Sequence, residues 1–261
     1  MANEESHEEK IYLTLALGPD VVKNKEVFDQ LISKCINYNV DGFYFVLKSP
    51  NNQFLITDEE YLYALMDGFI SLIISEKDIL LGYANQQSLI YSAVGVETIA
   101  SGNFRNVRSF DPDIFVENEE EDFKRRGIWY YDGNSLSEYK QQQLSLAYRR
   151  GLNTYFGPQC EYCKNLLDSS NPATILWREP FPFKHYLHEL RNQWLELNSV
   201  NPAGRIDFII ETLIKVKEHI KKLESKGFSL GTRAFSEEVS DACIGSLRAI
   251  KHDRKYDLLQ L

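Results

Sequence analysis

"IYLTLALGPDVVKNKEVFDQLISKCINYNVDGFYFVLK" (residues 11–48) decides the architecture of this chain. "IYLTLALG" (11–18) is a short apolar run of strand length. "VFDQLISKCI" (27–36) then places Val27, Phe28, Leu31, Ile32, Cys35 and Ile36 on one face at helical spacing, and "GFYFVLK" (42–48) is apolar and aromatic again. A strand, a helix and a strand at this pitch make a parallel βαβ unit with a right-handed crossover.

The same unit recurs downstream. "TDEEYLYALMDGFISLIIS" (57–75) opens with the capping box Thr57–Glu60 and continues as a helix. "ILLGYAN" (79–85) and "ETIASGNF" (97–104) are the third and fourth strand candidates, with the helix "QSLIYSAVG" (87–95) between them. Strands that end in Gly and polar residues suit a barrel whose functional loops follow the strand C-termini. Beyond them, "ENEEEDFKRR" (117–126) is a charged loop and "GIWYYDG" (127–133) a fifth strand candidate. "SLSEYKQQQLSLAYRRG" (135–151) reads as a helix stopped by Gly151. Two more helices follow, "KHYLHELRNQWLEL" (184–197) and the long "GRIDFIIETLIKVKEHIKKLESKG" (204–227), the latter capped by Gly227. Five strands are too few for the eight of a closed βα barrel.

The totals set outer limits. With 261 residues, 43% of them hydrophobic and 13% aromatic, the chain can bury a substantial core. The acidic start "MANEESHEEK" (1–10) is expected to be disordered and resembles neither a secretory signal nor a transit peptide. No apolar run is long enough to span a bilayer, so the expectation is a cytoplasmic protein with no membrane partner. A net charge of −9 argues against a general polyanion binder, although a local basic patch stays open. No phosphate-binding glycine loop and no nucleophile elbow are present.

"FGPQCEYCKNLLD" (156–168) holds two of the four cysteines. A Cys-x-x-Cys pair serves as a redox couple, as half of a metal clamp, or as nothing more than a turn. A redox pair belongs at a helix start in a thioredoxin-like unit, which this context lacks. Zinc takes four ligands, commonly thiolate and imidazole, with two on such a turn. The helix at 184–197 brings His188, with His185 one turn earlier on the same face. Cys160, Cys163, His188 and His185 are therefore the metal candidates.

From "FGPQCEYCKNLL" through "KHYLHELRNQWLEL" to "IDFIIETLIKVKEHIKKL", the chain resembles the C-terminal zinc region of the tRNA-guanine (queuine) transglycosylases. Cys160 and Cys163 match that family's last two zinc cysteines, and Tyr186–Leu187–His188 matches its helix, with His188 as the ligand. "DGFYFVLKSPN" and "DILLGYANQQSLIYSAVGVETIASGNF" look like its later barrel strands in the right order. The resemblance implies an α/β fold: a partial TIM-type (βα) barrel over residues 11–133, followed by a zinc-binding helical region over 134–261. It also implies base exchange on tRNA, or on DNA in the branch that inserts deazaguanines.

The departures bear on activity. The family's first zinc cysteine falls on Pro158 and its nucleophilic Asp on Ala100, while Phe45 and Val46 stand where a Gly-Gly turn contacts the base. No stretch matches the half that carries the acid/base Asp. No catalytic set is therefore assigned, and Glu97, Asp111 and Asp113 are the carboxylates left for a divergent site. Arg105 and Arg108, after the fourth strand, are candidates for holding a nucleic-acid phosphate; otherwise they pair with Asp111, Asp113 or the acidic loop. The lysines of the long helix (Lys215, Lys217, Lys221, Lys222) read as a solvated face rather than a nucleic-acid patch. The expectation is a non-catalytic transglycosylase-like subunit of a nucleic-acid-handling complex, with an obligate protein partner completing the barrel. The alternatives are an active base-exchange enzyme with a divergent site, and a protein-interaction scaffold in another assembly.

Overall fold

The computed structural model describes residues 9–103, 107–115 and 127–261. Most of the acidic N-terminus, Arg105 and the charged loop at 117–126 lie outside them.

The first half winds as its pattern dictates. β1 (Tyr12–Leu17) leads through α1 (Pro19–Lys23) and α2 (Lys25–Ile36) to β2 (Gly42–Leu47), then through α3 (Glu59–Ile74) to β3 (Asp78–Leu81). The short α4 (Leu89–Ser92) precedes β4, which is only Thr98–Ile99. The four strands pair in parallel in the order β1-β2-β3-β4. This order never reverses, unlike that of a doubly wound sheet, where reversal makes the ligand crevice. The expected third and fourth strands are thus shorter than their apolar runs, because Gly82 and Ser101 already lead into loops.

Register puts Leu13, Leu15 and Leu17 beside Phe43, Phe45 and Leu47, with Ile79 and Leu81 next in line. That face meets the helices. α2 contributes Phe28, Ile32 and Cys35, whereas Val27 stays exposed. α3 is buried nearly all round because it lies between α2 and a C-terminal helix, α9 (Glu237–Asp253). Gly68 makes the α2–α3 approach possible, since a Cβ there would lie 2.8 Å from the Phe28 ring. α3 is capped by Asp58, whose side chain accepts from Tyr61 N at 3.0 Å, rather than by the expected Thr57–Glu60 box.

The opposite face is different. Tyr12, Thr14 and Ala16 of β1 are exposed, Tyr44 and Leu80 are half-buried, and only toward the strand C-termini does cover increase, with Val46 buried.

The second half departs from its reading. "GIWYYDG" does form a strand, β5 (Trp129–Asp132), but it pairs antiparallel with β6 (Ser137–Lys140) in a separate hairpin. The stretch expected to be helical from 135 therefore begins as strand, and its helix, α5, spans only Gln141–Arg149. Alternation wins there: Tyr139 packs inward and Glu138 inward on the other side, both buried. α6 (Lys164–Leu167), α7 (Phe181–Ser199) and α8 (Arg205–Ser225) follow. Gly151 and Gly227 take positive φ, as helix stops should.

Two apolar clusters result. The larger joins the sheet and α2–α3 to α7, α8 and α9; the smaller gathers Tyr130, Tyr139, Phe156, Cys163, Trp177 and Phe228 around the hairpin and the Cys loop. Among the described residues no helix is long and apolar enough to cross a membrane.

Candidate functional site

The Cys loop is built by backbone first. Asp132, fully buried at the end of β5, accepts from Ser135 Oγ at 2.5 Å and from Gly157 N at 2.9 Å, which ties the hairpin turn to the segment entering the loop. Cys160 O then accepts from Lys164 N at 3.0 Å and Cys163 N at 3.3 Å, starting α6. Cys160 N donates back to Cys163 Sγ at 3.2 Å. An amide aimed at a sulfur favours thiolate there.

α7 supplies the imidazole. His185 is fully buried, stacked flat on Tyr130 at 5.0 Å between centroids. Its Nε2 lies 2.6 Å from Tyr131 O, and a carbonyl only accepts, so Nε2 carries the proton. Nδ1 is left with its lone pair toward Cys160 Sγ, 3.1 Å away. The ligand atoms of Cys160, Cys163 and His185 all lie within 4.8 Å of one another. Two thiols and a lone-pair nitrogen, oriented by a carbonyl, form a donor set suited to a soft divalent cation.

His188 is also near, but differently placed. It groups with Cys160 and Glu189 within 4.8 Å rather than with the first three. It is half-buried, and its Nε2 lies 3.0 Å from Asn192 Nδ2.

Burial sets the protonation of this pocket. It lowers His185 to about 4, against the pull of the Tyr131 carbonyl, so the ring is neutral at pH 7. It raises the Cys163 thiol to about 12, with Cys160 alongside adding to the rise, and raises Asp132 to about 7 despite its hydrogen bonds. Groups that burial keeps protonated lose their protons to a bound dication.

A second feature lies at the C-terminal end of the sheet. Glu138 of β6, 2% exposed, is gripped by Arg108 Nη1 at 2.7 Å and by Arg233 Nη1 at 3.1 Å. Each guanidinium also stacks on an aromatic ring, Arg108 on Tyr186 at 4.2 Å and Arg233 on Trp129 at 4.0 Å. These groups floor a cavity of about 720 Å³ that Arg178 also lines. Arg108 thus pairs with neither Asp111 nor Asp113. Glu138 and Arg233 escaped the sequence reading; the period-2 alternation of "SEYK" was the available signal for a buried Glu138.

The remaining candidates scatter. Glu97 is exposed before β4, at the end of the sheet away from the strand C-termini, and Ala100 continues the ladder to Leu81 O at 2.8 Å. Asp111 Oδ1 accepts from Asp113 N, and Asp113 lies 3.8 Å from Lys48 Nζ. Phe45 is fully buried and Val46 nearly so, filling their surroundings. On α8, Lys217 and Lys221 are engaged by Glu237 and Asp241 of α9. Cys35 is buried in α2, and Cys243 is buried in α9 beside Gln87 Nε2 at 3.2 Å.

No family model, no curated protein and no solved structure matches this chain.

Proposed function

We propose that this chain is a zinc-stapled, non-catalytic, transglycosylase-like subunit of a complex that handles tRNA or DNA, its partial barrel completed by a partner polypeptide. The observation that carries the reading is the bare side of the sheet. Parallel sheets are buried on both faces as a rule, yet Tyr12, Thr14 and Ala16 face solvent, and among the described residues no strand pairs with the outer side of β1. An uncovered edge strand is a template for another chain. The β4 side is already screened, since Leu187, Leu190 and Trp194 of α7 flank Ile99 and Ala100 across a groove.

The sequential strand order favours a barrel segment over a doubly wound sheet. A partner of further βα units would continue the ladder at β1 and place its strands over the bare face. The non-catalytic part rests on the scatter of the sequence candidates: of Glu97, Asp111 and Asp113, only Asp111 lines the cavity at the strand C-termini. Cys160, Cys163 and His185 would hold the zinc and staple the hairpin to α7. Nucleic acid would meet the cavity on the strand C-terminal side, where Trp129 offers a ring and Arg178 a guanidinium beside the Arg108–Glu138–Arg233 cluster.

Light scattering behind a sizing column tests the reading. The chain alone is expected to self-associate or elute heterogeneously; a homogeneous monomer with a cooperative melt overturns it. Binding of tRNA or duplex DNA that weakens steeply between 50 and 200 mM salt separates the nucleic-acid reading from that of an interaction scaffold alone. The scaffold is the second reading, favoured by the same bare face, and absence of such binding selects it.

A further inference from the structure

Three donors converge on the Cys loop, and tetrahedral zinc needs a fourth. Resting on the metal reading above, we infer that Glu189 of α7 is that ligand, so that the site is Cys160, Cys163, His185 and Glu189.

Glu189 follows His185 by four positions, which stacks the two side chains on one face of α7. It is 2% exposed. Among the described residues its carboxylate makes no hydrogen bond and no ion pair, and burial raises it to about 7. A buried carboxylate is otherwise paired or bound to a metal. Its oxygen, the Cys160 sulfur and a His188 nitrogen lie within 4.8 Å of one another, and Cys160 is shared with the Cys163–His185 group. Cys160 thus joins the two sets; Glu189, like His188, stands outside the group of Cys163 and His185, so its carboxylate has to close on the other donors as the metal binds.

The space around the carboxylate is shaped for it. A Cβ built on Gly133 would come within 2.9 Å of Pro158 Cδ and 3.2 Å of Glu189 Oε2. Any larger residue at 133 would push against the hairpin side of the carboxylate and of the loop that delivers Cys160. His188 competes for the role and fits it less well. It is half-buried, can exchange ligand bonds with water, and already has Asn192 beside its Nε2. Binding would release the two thiol protons and leave two thiolates, one carboxylate and a neutral imidazole on the dication.

Cobalt(II) substituted into the reduced full-length chain, with metal content measured in parallel, reads the ligand set directly. The wild-type chain is expected to take one equivalent with tetrahedral visible bands and a near-ultraviolet thiolate band. Glu189→Cys should keep one equivalent and raise that band by about half, as two thiolates become three. Glu189→Gln, which preserves shape, should weaken cobalt affinity at least tenfold, while His188→Ala leaves spectrum and affinity unchanged. A Glu189→Cys chain that loads fully without the added thiolate intensity overturns the assignment, as does wild-type affinity in Glu189→Gln or a changed spectrum in His188→Ala; in those cases the Cys–His site itself stands. A wild-type chain that takes up neither cobalt nor zinc defeats the metal reading instead, and this assignment with it.

Discussion

The imidazole Nε2 of His185 lies 2.6 Å from the carbonyl oxygen of Tyr131. That one contact fixes the tautomer, leaves the Nδ1 lone pair directed at Cys160 and couples α7 to the β5–β6 hairpin. The candidate metal site and the attachment of the hairpin are therefore the same structure. Removing the metal with a chelator from the reduced chain is expected to lower the melting temperature sharply. Structural zinc contributes on the order of 10 kcal/mol of folding free energy. His185→Ala or Cys160→Ala, melted with zinc present, should match the chelated wild-type chain. A Cys160→Ala loss of only about 1–2 kcal/mol would mark an ordinary buried thiol.

Glu138 holds two guanidiniums at once, and both ring stacks depend on that placement. Arg108→Met leaves Glu138 with half its partners in a site where the carboxylate is 2% exposed. Breaking a buried ion pair from one side costs about 3–5 kcal/mol, to be read as a shift of the urea midpoint. Arg108→Lys should recover little of the loss. An ammonium keeps the charge but not the planar stack on Tyr186.

The bare face gives a prediction in which folding and assembly separate. Thr14 and Ala16 are exposed on a strand whose other face is half-buried at Leu15 and buried at Leu17. Lysine at both positions should leave the melting temperature of the chain almost unchanged, as surface substitutions stay within about 0.5 kcal/mol. The same double variant should abolish higher-mass species on a sizing column. Retention of assembly would place the partner elsewhere.

The first half of the fold was legible because its signals are local. Apolar runs of strand length, amphipathic helices and glycine stops specify the four parallel strands and their order without reference to distant residues. The hairpin was not legible in that way. "SEYKQQQ" carries strand alternation for four residues and helix formers immediately after, and only the pairing of Tyr130 with Tyr139 settles where one ends. The Cys-x-x-Cys turn marked a candidate metal loop, and the imidazoles at 185 and 188 were both placed near it by helix spacing. Which of them faces the sulfurs depends on how α7 is rotated by its packing against Tyr130 and Trp177. That rotation is a tertiary fact. Arg108 shows the same limit: its partner, Glu138, lies thirty residues away on a strand that reads as helix.

Asp132 offers the cleanest pH test, because its carboxyl is fully buried and burial raises it to about 7 from an ordinary value of 3.8. Between those two values the folded chain keeps a proton that the unfolded chain has released. Stability contributed by this group is therefore greatest at low pH, falls as pH rises from about 4, and levels off above about 7. The span of the fall is on the order of a few kcal/mol. Asp132→Asn cannot ionise; its one amide oxygen accepts from Gly157 N, while its NH2 faces Ser135 Oγ, whose hydroxyl turns to accept. Urea unfolding of the variant between pH 5 and 8 should show a flatter profile than wild type, with the variant relatively more stable at pH 8. The comparison is made on metal-free protein in both cases, so that the titration of metal-binding groups is common to the pair. Parallel profiles for the two chains would mean that Asp132 stays ionised in the fold, held so by the two donors that reach it.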